Sequence, residues 1–226
     1  MSNKFNRIKS RKICKKYYFS VEGDTEKWYL EHLQKLINCS EKAKYTVKFV
    51  IEITDPVSFV KNQTIIAKSV VNHIIDVESK EQEHRTKFLN QLSLMKNAQG
   101  IGKQIKYKLG YSNFTFDLWV ILHKQDCFAS LSHRDEYKHI ICNAYNYNFK
   151  SLKEYKSDDI FHKKVLNKIS LDDVMEAVKR GNRLQEKSEE KNFKKFQHCG
   201  FCYYDDNPSM SIWQIIGDIL KECDLL

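Results

Sequence analysis

Tyr17-Tyr18-Phe19-Ser20-Val21-Glu22-Gly23-Asp24-Thr25-Glu26 sets an aromatic and β-branched run directly against an acidic turn. The run from Tyr17 to Val21 has no polar alternation, so it reads as a strand buried on both faces. Glu22-Gly23-Asp24-Thr25 reads as a turn in which Thr25 or Asp24 caps the next helix. On that helix Trp28, Tyr29, Leu33, Leu36 and Ile37 recur at helical spacing. A strand buried on both faces calls for helices above and below it, which is the signature of a parallel sheet.

The pattern repeats outward. Residues 45–53 alternate like a second strand, and Pro56 with Ser58 opens a helix over roughly 57–69. Val70-Val71-Asn72-His73-Ile74-Ile75 reads as a third strand ending at Asp76-Val77-Glu78, and 80–98 is charged and helical. Thr115 to Leu122 is an apolar element ending in His123, started by Ser112-Asn113-Phe114. Helical stretches follow near 159–168 and 171–187. A polar stretch over 188–200 precedes Asn207-Pro208-Ser209, which reads as the start of a last amphipathic helix over 209–222 with Ser209 capping it. Strands alternating with helices predict an α/β fold with a mostly parallel sheet flanked by helices, residues 1–130, and a mainly helical C-terminal part, residues 131–226.

Composition narrows the setting. The 226 residues are 42% hydrophobic, enough for a sizeable core, and carry a formal charge of +9. That excess favours an anionic partner, nucleic acid above all, although a Lys- and Asn-rich codon usage produces the same bulk number. Lys15, Lys16, Lys103, Lys106, Lys108, Lys194 and Lys195 are the cations beside aromatic residues that phosphate contact would use. No run approaches the ~20 apolar residues that span a bilayer. The basic leader over residues 1–16 lacks a signal peptide's apolar segment, and seven cysteines show no disulfide framework, so a reducing cytoplasm is expected. Gly100-Ile101-Gly102 matches neither a P-loop nor a dinucleotide fingerprint. Cys199-Gly200-Phe201-Cys202 has neither the strand–helix context of a redox pair nor two further zinc ligands at sensible spacing.

Two acidic sites stand where strands end, Glu22 after the first and Asp76 with Glu78 after the third. In open parallel sheets ligands bind in the crevice beyond the carboxyl ends of strands. Carboxylates converging there repel one another unless a cation intervenes, and hard oxygen donors of this kind suit Mg²⁺ or Mn²⁺. Asp76 and Glu78, two residues apart, point to the same side if the backbone stays extended. Taken singly, Glu22 and Asp76 are equally ordinary turn acids or helix caps. His123 is a candidate proton donor or phosphate ligand, or else a capping or core histidine. Asp117, inside an apolar run, needs a cationic partner, with Lys124, Lys106 or Arg134 as candidates.

Together these blocks resemble the RloB-like family: Glu22-Gly23-x-Thr25-Glu26 after a strand, Asp76-x-Glu78 after another, Ser112 to His123, and Asn207-Pro208-Ser209 near the end. The resemblance implies a TOPRIM-type fold, a Mg²⁺-dependent nuclease acting on DNA or RNA, and a role in antiphage or abortive-infection defence beside an ATPase partner. Carried over, Glu22, Asp76 and Glu78 bind metal, Glu26 is a further ligand through water, and His123 supports catalysis. Here the second acid of the pair is Glu rather than Asp. The rival expectation is a non-catalytic subunit that binds nucleic acid or a partner protein.

Overall fold

A computed structural model describes residues 12–226, so residues 1–11, most of the basic leader, lie outside the described part. The first apolar run becomes β1, Cys14–Val21, whose last four residues are buried. Its helix α1, Asp24–Cys39, buries Tyr29, Leu30, Leu33 and Ile37. The cap differs from expectation: Gly23 holds the N-cap position without a side-chain hydrogen bond, because Thr25 already lies inside the helix and donates to Glu26 instead.

β2, Thr46–Ile53, pairs in parallel with β1. The next helix, α2, is only Pro56–Asn62. Asp55 Oδ1 accepts from the N–H groups of Val57 and Ser58 at 2.9 and 3.0 Å and fixes its start. The expected continuation to 69 fails where Thr64, Ile65 and Ile66, β-branched and weak helix formers, follow in a row. β3, Ser69–Asp76, pairs in parallel with β1 on its other side, and α3, Gln82–Gln99, follows.

A strand not anticipated above, β4 at Ile105–Asn113, pairs with all of β3. Ile105, Tyr107, Leu109 and Tyr111 alternate with Lys106, Lys108, Gly110 and Ser112, a period of two that marks it in the sequence. Ser112 and Asn113 therefore end a strand rather than start a helix, and Asn113 Nδ2 donates to the Asp205 carbonyl at 2.9 Å instead of capping. The Asn113–Phe114 and Asn207–Pro208 peptides are cis. α4 is Asp117–Leu122, every residue of it buried.

Helices α5 (Tyr137–Tyr145), α6 (Leu152–Tyr155), α7 (Asp158–Ile160) and, after tighter and wider turns through Lys168, α8 (Leu171–Glu190) make up most of the C-terminal part. Strands also occur there. β5, Lys195–His198, and β6, Phe201–Tyr204, form a hairpin over what the sequence presents as a polar stretch. Cys199 and Gly200 take φ of 52° and 89° as its two central residues, a two-residue turn of the primed kind, so the spacing of Cys199 and Cys202 is hairpin geometry. Ser209 belongs to β7, Ser209–Met210, antiparallel to β4, and its hydroxyl donates to the Asp206 carbonyl at 2.7 Å; the last helix, α9, starts later, at Ile212–Glu222.

The result is an α/β fold with a five-stranded, mostly parallel sheet in the order β2-β1-β3-β4-β7. One face, with Phe19, Val21, Phe49 and Ile74, packs on α1, α4, α8 and α9. The other, with Tyr18, Val71, Ile75 and Tyr107, packs on α2, α3 and the hairpin. β1 and β3 are neighbouring parallel strands in the interior of the sheet, so their carboxyl ends open side by side into one crevice.

Candidate active site

Glu22 is the first residue beyond β1 and Asp76 the last of β3, and the backbone N–H of Asp76 donates to Glu22 Oε2 at 3.2 Å. The adjacency of the two strands thus brings the two acids together. Glu26, one turn into α1, folds back towards the same place, 5% exposed, and accepts from Thr25 Oγ1 at 3.0 Å. Gly23 makes room for it: a Cβ there would stand 2.9 Å from Glu26 Oε2. Because Gly23 has ordinary extended backbone, its need is for close approach rather than for an unusual φ. Gly23→Ala is expected to displace the Glu26 carboxylate with the melting temperature nearly unchanged, and, if the acids hold a divalent ion, to lower Mn²⁺ affinity about tenfold; calorimetry with Mn²⁺ alongside a thermal melt checks both, and a Mn²⁺ affinity equal to the wild type's would refute it.

Asp117, at the start of α4 with 2% of its side chain exposed, completes the group. Thr115 Oγ1 donates to its Oδ2 at 2.9 Å, and Lys156 Nζ, from just past α6, lies 3.2 Å from the same oxygen. The partner that burial demanded is therefore Lys156. Lys124 instead pairs with Asp173 at 2.9 Å, Arg134 with Glu78 at 2.9 Å, and Lys106 is exposed.

The electrostatics mark Asp76 as the centre. Burial pushes its carboxyl well above the usual carboxylate range, repulsion from Glu26, Asp117 and Glu22 adds to this, and Lys156 opposes it. Its Oδ1 is shut from solvent with no hydrogen-bond partner. Burial also raises Glu26 and Glu22, against the pull of Lys156 on the first and Lys87 on the second. Burial would lower Lys156, but Asp117, Asp76 and Glu26 together raise it above lysine's ordinary value. A cavity of about 330 Å³ opens onto this group, with Asp76, Asp117 and Lys156 beside Arg134 and Lys153.

Glu78 lines that cavity as well, but its carboxylate is taken up by other partners. Val77 and Glu78 leave the β3–β4 ladder by donating to the carbonyls of Ser112 and Phe114 at 2.9 and 2.8 Å, and Glu78 takes a left-handed φ of 67°. The extended backbone assumed for the Asp76/Glu78 pair is thus broken between them. The Glu78 carboxylate meets Lys87 at 2.9 Å, Arg134 at 2.9 Å and His84 at 3.6 Å; although burial opposes it, this cationic ring holds Glu78 below its ordinary value. Lys87 reaches Glu22 as well, at 3.4 Å. Two sub-clusters therefore share Glu22: Asp76–Glu26–Asp117 around Lys156, and Glu78 around Lys87 and Arg134.

His123, expected as a proton donor, is set in the core at 1% exposure. One ring nitrogen contacts the Trp119 carbonyl at 2.9 Å and the other the Tyr29 hydroxyl at 3.1 Å, and burial pushes its pKa down to about 3. Both nitrogens are occupied by core groups, and His123 is not among the residues lining the acidic cavity. Asn207 lines a second cavity, about 200 Å³, shared with Glu78 and Arg134.

A family model described as RloB-like protein matches residues 17–219. The chain belongs to the RloB-like family. No curated protein and no solved structure matches it. The matched span contains every acid of both sub-clusters, together with Lys87, Arg134 and Lys156. Lys156 and Lys87 were invisible as site residues in the sequence, because nothing local sets either apart from the chain's other lysines and only the packing of α3 and of the end of α6 near the strand ends singles them out. Among the described residues of this RloB-like protein, no three His, Cys, Asp or Glu side chains form a closed metal-binding set. Mg²⁺ asks for less than that, since it keeps several waters and takes one or two carboxylates plus substrate oxygens. The oxygen donors of Asp76, Glu22, Glu26 and Asp117 suit such an ion in kind. Among the described residues no helix is long and apolar enough to cross a membrane.

Proposed function

We propose that this RloB-like protein is a TOPRIM-type, divalent-metal-dependent nuclease that hydrolyses phosphodiester bonds of DNA or RNA in antiphage or abortive-infection defence. The observation that carries the chemistry is the buried, unpartnered Asp76 Oδ1 among the charges of Glu26, Asp117 and Glu22. Carboxylates crowded at the end of two adjacent parallel strands are costly on their own and become favourable around a cation. Mg²⁺ or Mn²⁺, held by Asp76 and Glu22 with Glu26 and Asp117 in support, would supply Lewis acidity and an activated water. Lys156, Lys153 and Arg134 at the cavity are the chain's own cations for a substrate phosphate. The defence setting, and an ATPase partner, rest on the family resemblance.

This reading moves weight from Glu78 to Asp117. Asp117→Asn is expected to weaken Mn²⁺ binding about tenfold or more, whereas Glu78→Gln, whose carboxylate is already engaged by Lys87 and Arg134, changes it by less than about threefold. Calorimetric titration of both variants is the check, and the reverse order would sink the assignment. A second reading, a non-catalytic subunit of a defence complex that binds nucleic acid or a partner protein, draws support from Lys156 and Lys87, which already compensate both sub-clusters. Cleavage assays on single- and double-stranded DNA and RNA with Mg²⁺ and Mn²⁺ separate the two: metal-dependent products support the nuclease, and their absence alongside tight nucleic-acid binding supports the subunit.

A further inference from the structure

At the opposite end of the sheet from the acidic cavity a groove of about 610 Å³ runs between the amino-terminal halves of β1, β3 and β4 and the last two turns of α9. Five lysines line it: Lys15 and Lys16 of β1, Lys68 before β3, Lys108 of β4 and Lys221 of α9. Two are tied to carboxylates on α9, Lys15 to Glu222 at 3.5 Å and Lys108 to Asp218 at 2.7 Å. Lys16, Lys68 and Lys221 are exposed, and among the described residues no carboxylate lies within ion-pairing distance of them. The apolar floor is open as well, with Val70 41% exposed on a strand whose next residue is fully buried. From Lys16 to Glu22 the chain runs six residue steps along β1, roughly 20 Å, so the groove is separate from the acidic cavity.

The kind of donor decides the ligand. No helix N-terminus and no glycine lines the groove, and the helix end that does is a carboxyl end, whose dipole disfavours anions. A small phosphate would find no directional backbone cradle there. Flexible ammonium groups spread along an open floor suit a polyanion, bound through release of its counterions without regard to sequence. The composition of the basic leader agrees, since residues 1–16 hold seven Lys or Arg and no acid. We propose that this groove binds the phosphate backbone of nucleic acid, as an anchoring surface distinct from the acidic site. The inference rests on the reading that the substrate is nucleic acid, but not on cleavage.

The test is fluorescence anisotropy of a labelled single-stranded 20-mer with the full chain in EDTA, where no cleavage intervenes. The triple variant Lys16→Glu, Lys68→Glu, Lys221→Glu is expected to weaken binding about 30-fold or more near 0.1 M salt, and to reduce the slope of log affinity against log salt by about 2. The control Lys163→Glu, Lys187→Glu, Lys191→Glu carries the same change in net charge on the helices of the C-terminal part. Equal losses in both triples would reduce the effect to bulk charge and overturn the proposal, as would binding unchanged in the first. Anionic vesicles that bind through the same lysines while the oligonucleotide does not would overturn it in favour of a membrane surface. If metal-dependent cleavage is never found but the first triple alone loses binding, the nuclease reading fails and the groove assignment stands.

Discussion

Asp76→Asn is expected to abolish metal-dependent cleavage, by roughly 10²–10³-fold or more, while making the metal-free protein more stable. The loss follows from removing the central oxygen donor of the site, since a bound ion contributes several kcal/mol to transition-state charge and each 1.4 kcal/mol is tenfold in rate. The gain follows from the same geometry. Asp76 is buried, its Oδ1 has no partner, and Glu26, Asp117 and Glu22 repel its charge. Its folded pKa is raised above the ordinary 3.8. A carboxyl raised in this way is favourable to the fold at low pH and becomes costly as pH climbs through its folded pKa. The advantage of Asp76→Asn should therefore be absent below about pH 4 and grow towards neutrality. With Mg²⁺ at about 100 times its dissociation constant the wild type gains about 2.7 kcal/mol that the variant lacks, and the order reverses. Thermal melts across pH with and without Mg²⁺ measure all of this. A variant that is less stable than wild type at neutral pH without metal, or that still cleaves, would refute it.

Lys156→Met should have the opposite signature. It leaves Asp117, with 2% of its side chain exposed, and the Asp76 and Glu26 charges without their compensating cation. Breaking a buried pair costs about 3–5 kcal/mol, and because Lys156 keeps 36% of its side chain in water the expected loss is about 2–3 kcal/mol at neutral pH. Acidification restores stability as the carboxyls take up protons. If the cluster is a cation site, millimolar Mg²⁺ restores it at neutral pH too, and does so more strongly than in the wild type, where Lys156 competes. Equal losses with and without Mg²⁺ would favour the non-catalytic reading. Urea unfolding at two pH values with a Mg²⁺ titration distinguishes these outcomes.

Much of the layout was legible because local chemistry and tertiary demand agree. Residues 17–21 and 70–75 are strands in the chain's own pattern because they are near-continuous apolar runs, and 45–53 because it alternates as a strand with one solvated side does. Glu22 and Asp76 stand at strand ends because a carboxylate interrupts an apolar run where the chain leaves the sheet. β4 escaped notice although Ile105, Tyr107, Leu109 and Tyr111 alternate, its lysines reading as solvated surface. The hairpin over 195–204 escaped because its turn uses Cys199 before Gly200 rather than the usual asparagine or aspartate.

By itself the sequence determined the family, the parallel sheet and the end of that sheet at which acids gather. Only the tertiary structure decided which acids share a site. Asp76 and Glu78 are two residues apart, yet a left-handed turn at Glu78 sends one carboxylate to Asp117 and Lys156 and the other to Lys87 and Arg134. The physical reason is range. Hydrophobic periodicity is written in neighbouring residues, whereas the energy of the buried Asp76, Asp117 and Glu26 charges depends on groups about 40 to 130 positions away that only packing brings together. The segment Val21-Glu22-Gly23-Asp24-Thr25-Glu26 holds both kinds of information: its place at the end of β1 is local, and the meaning of Gly23, room for the Glu26 carboxylate, appears only in three dimensions.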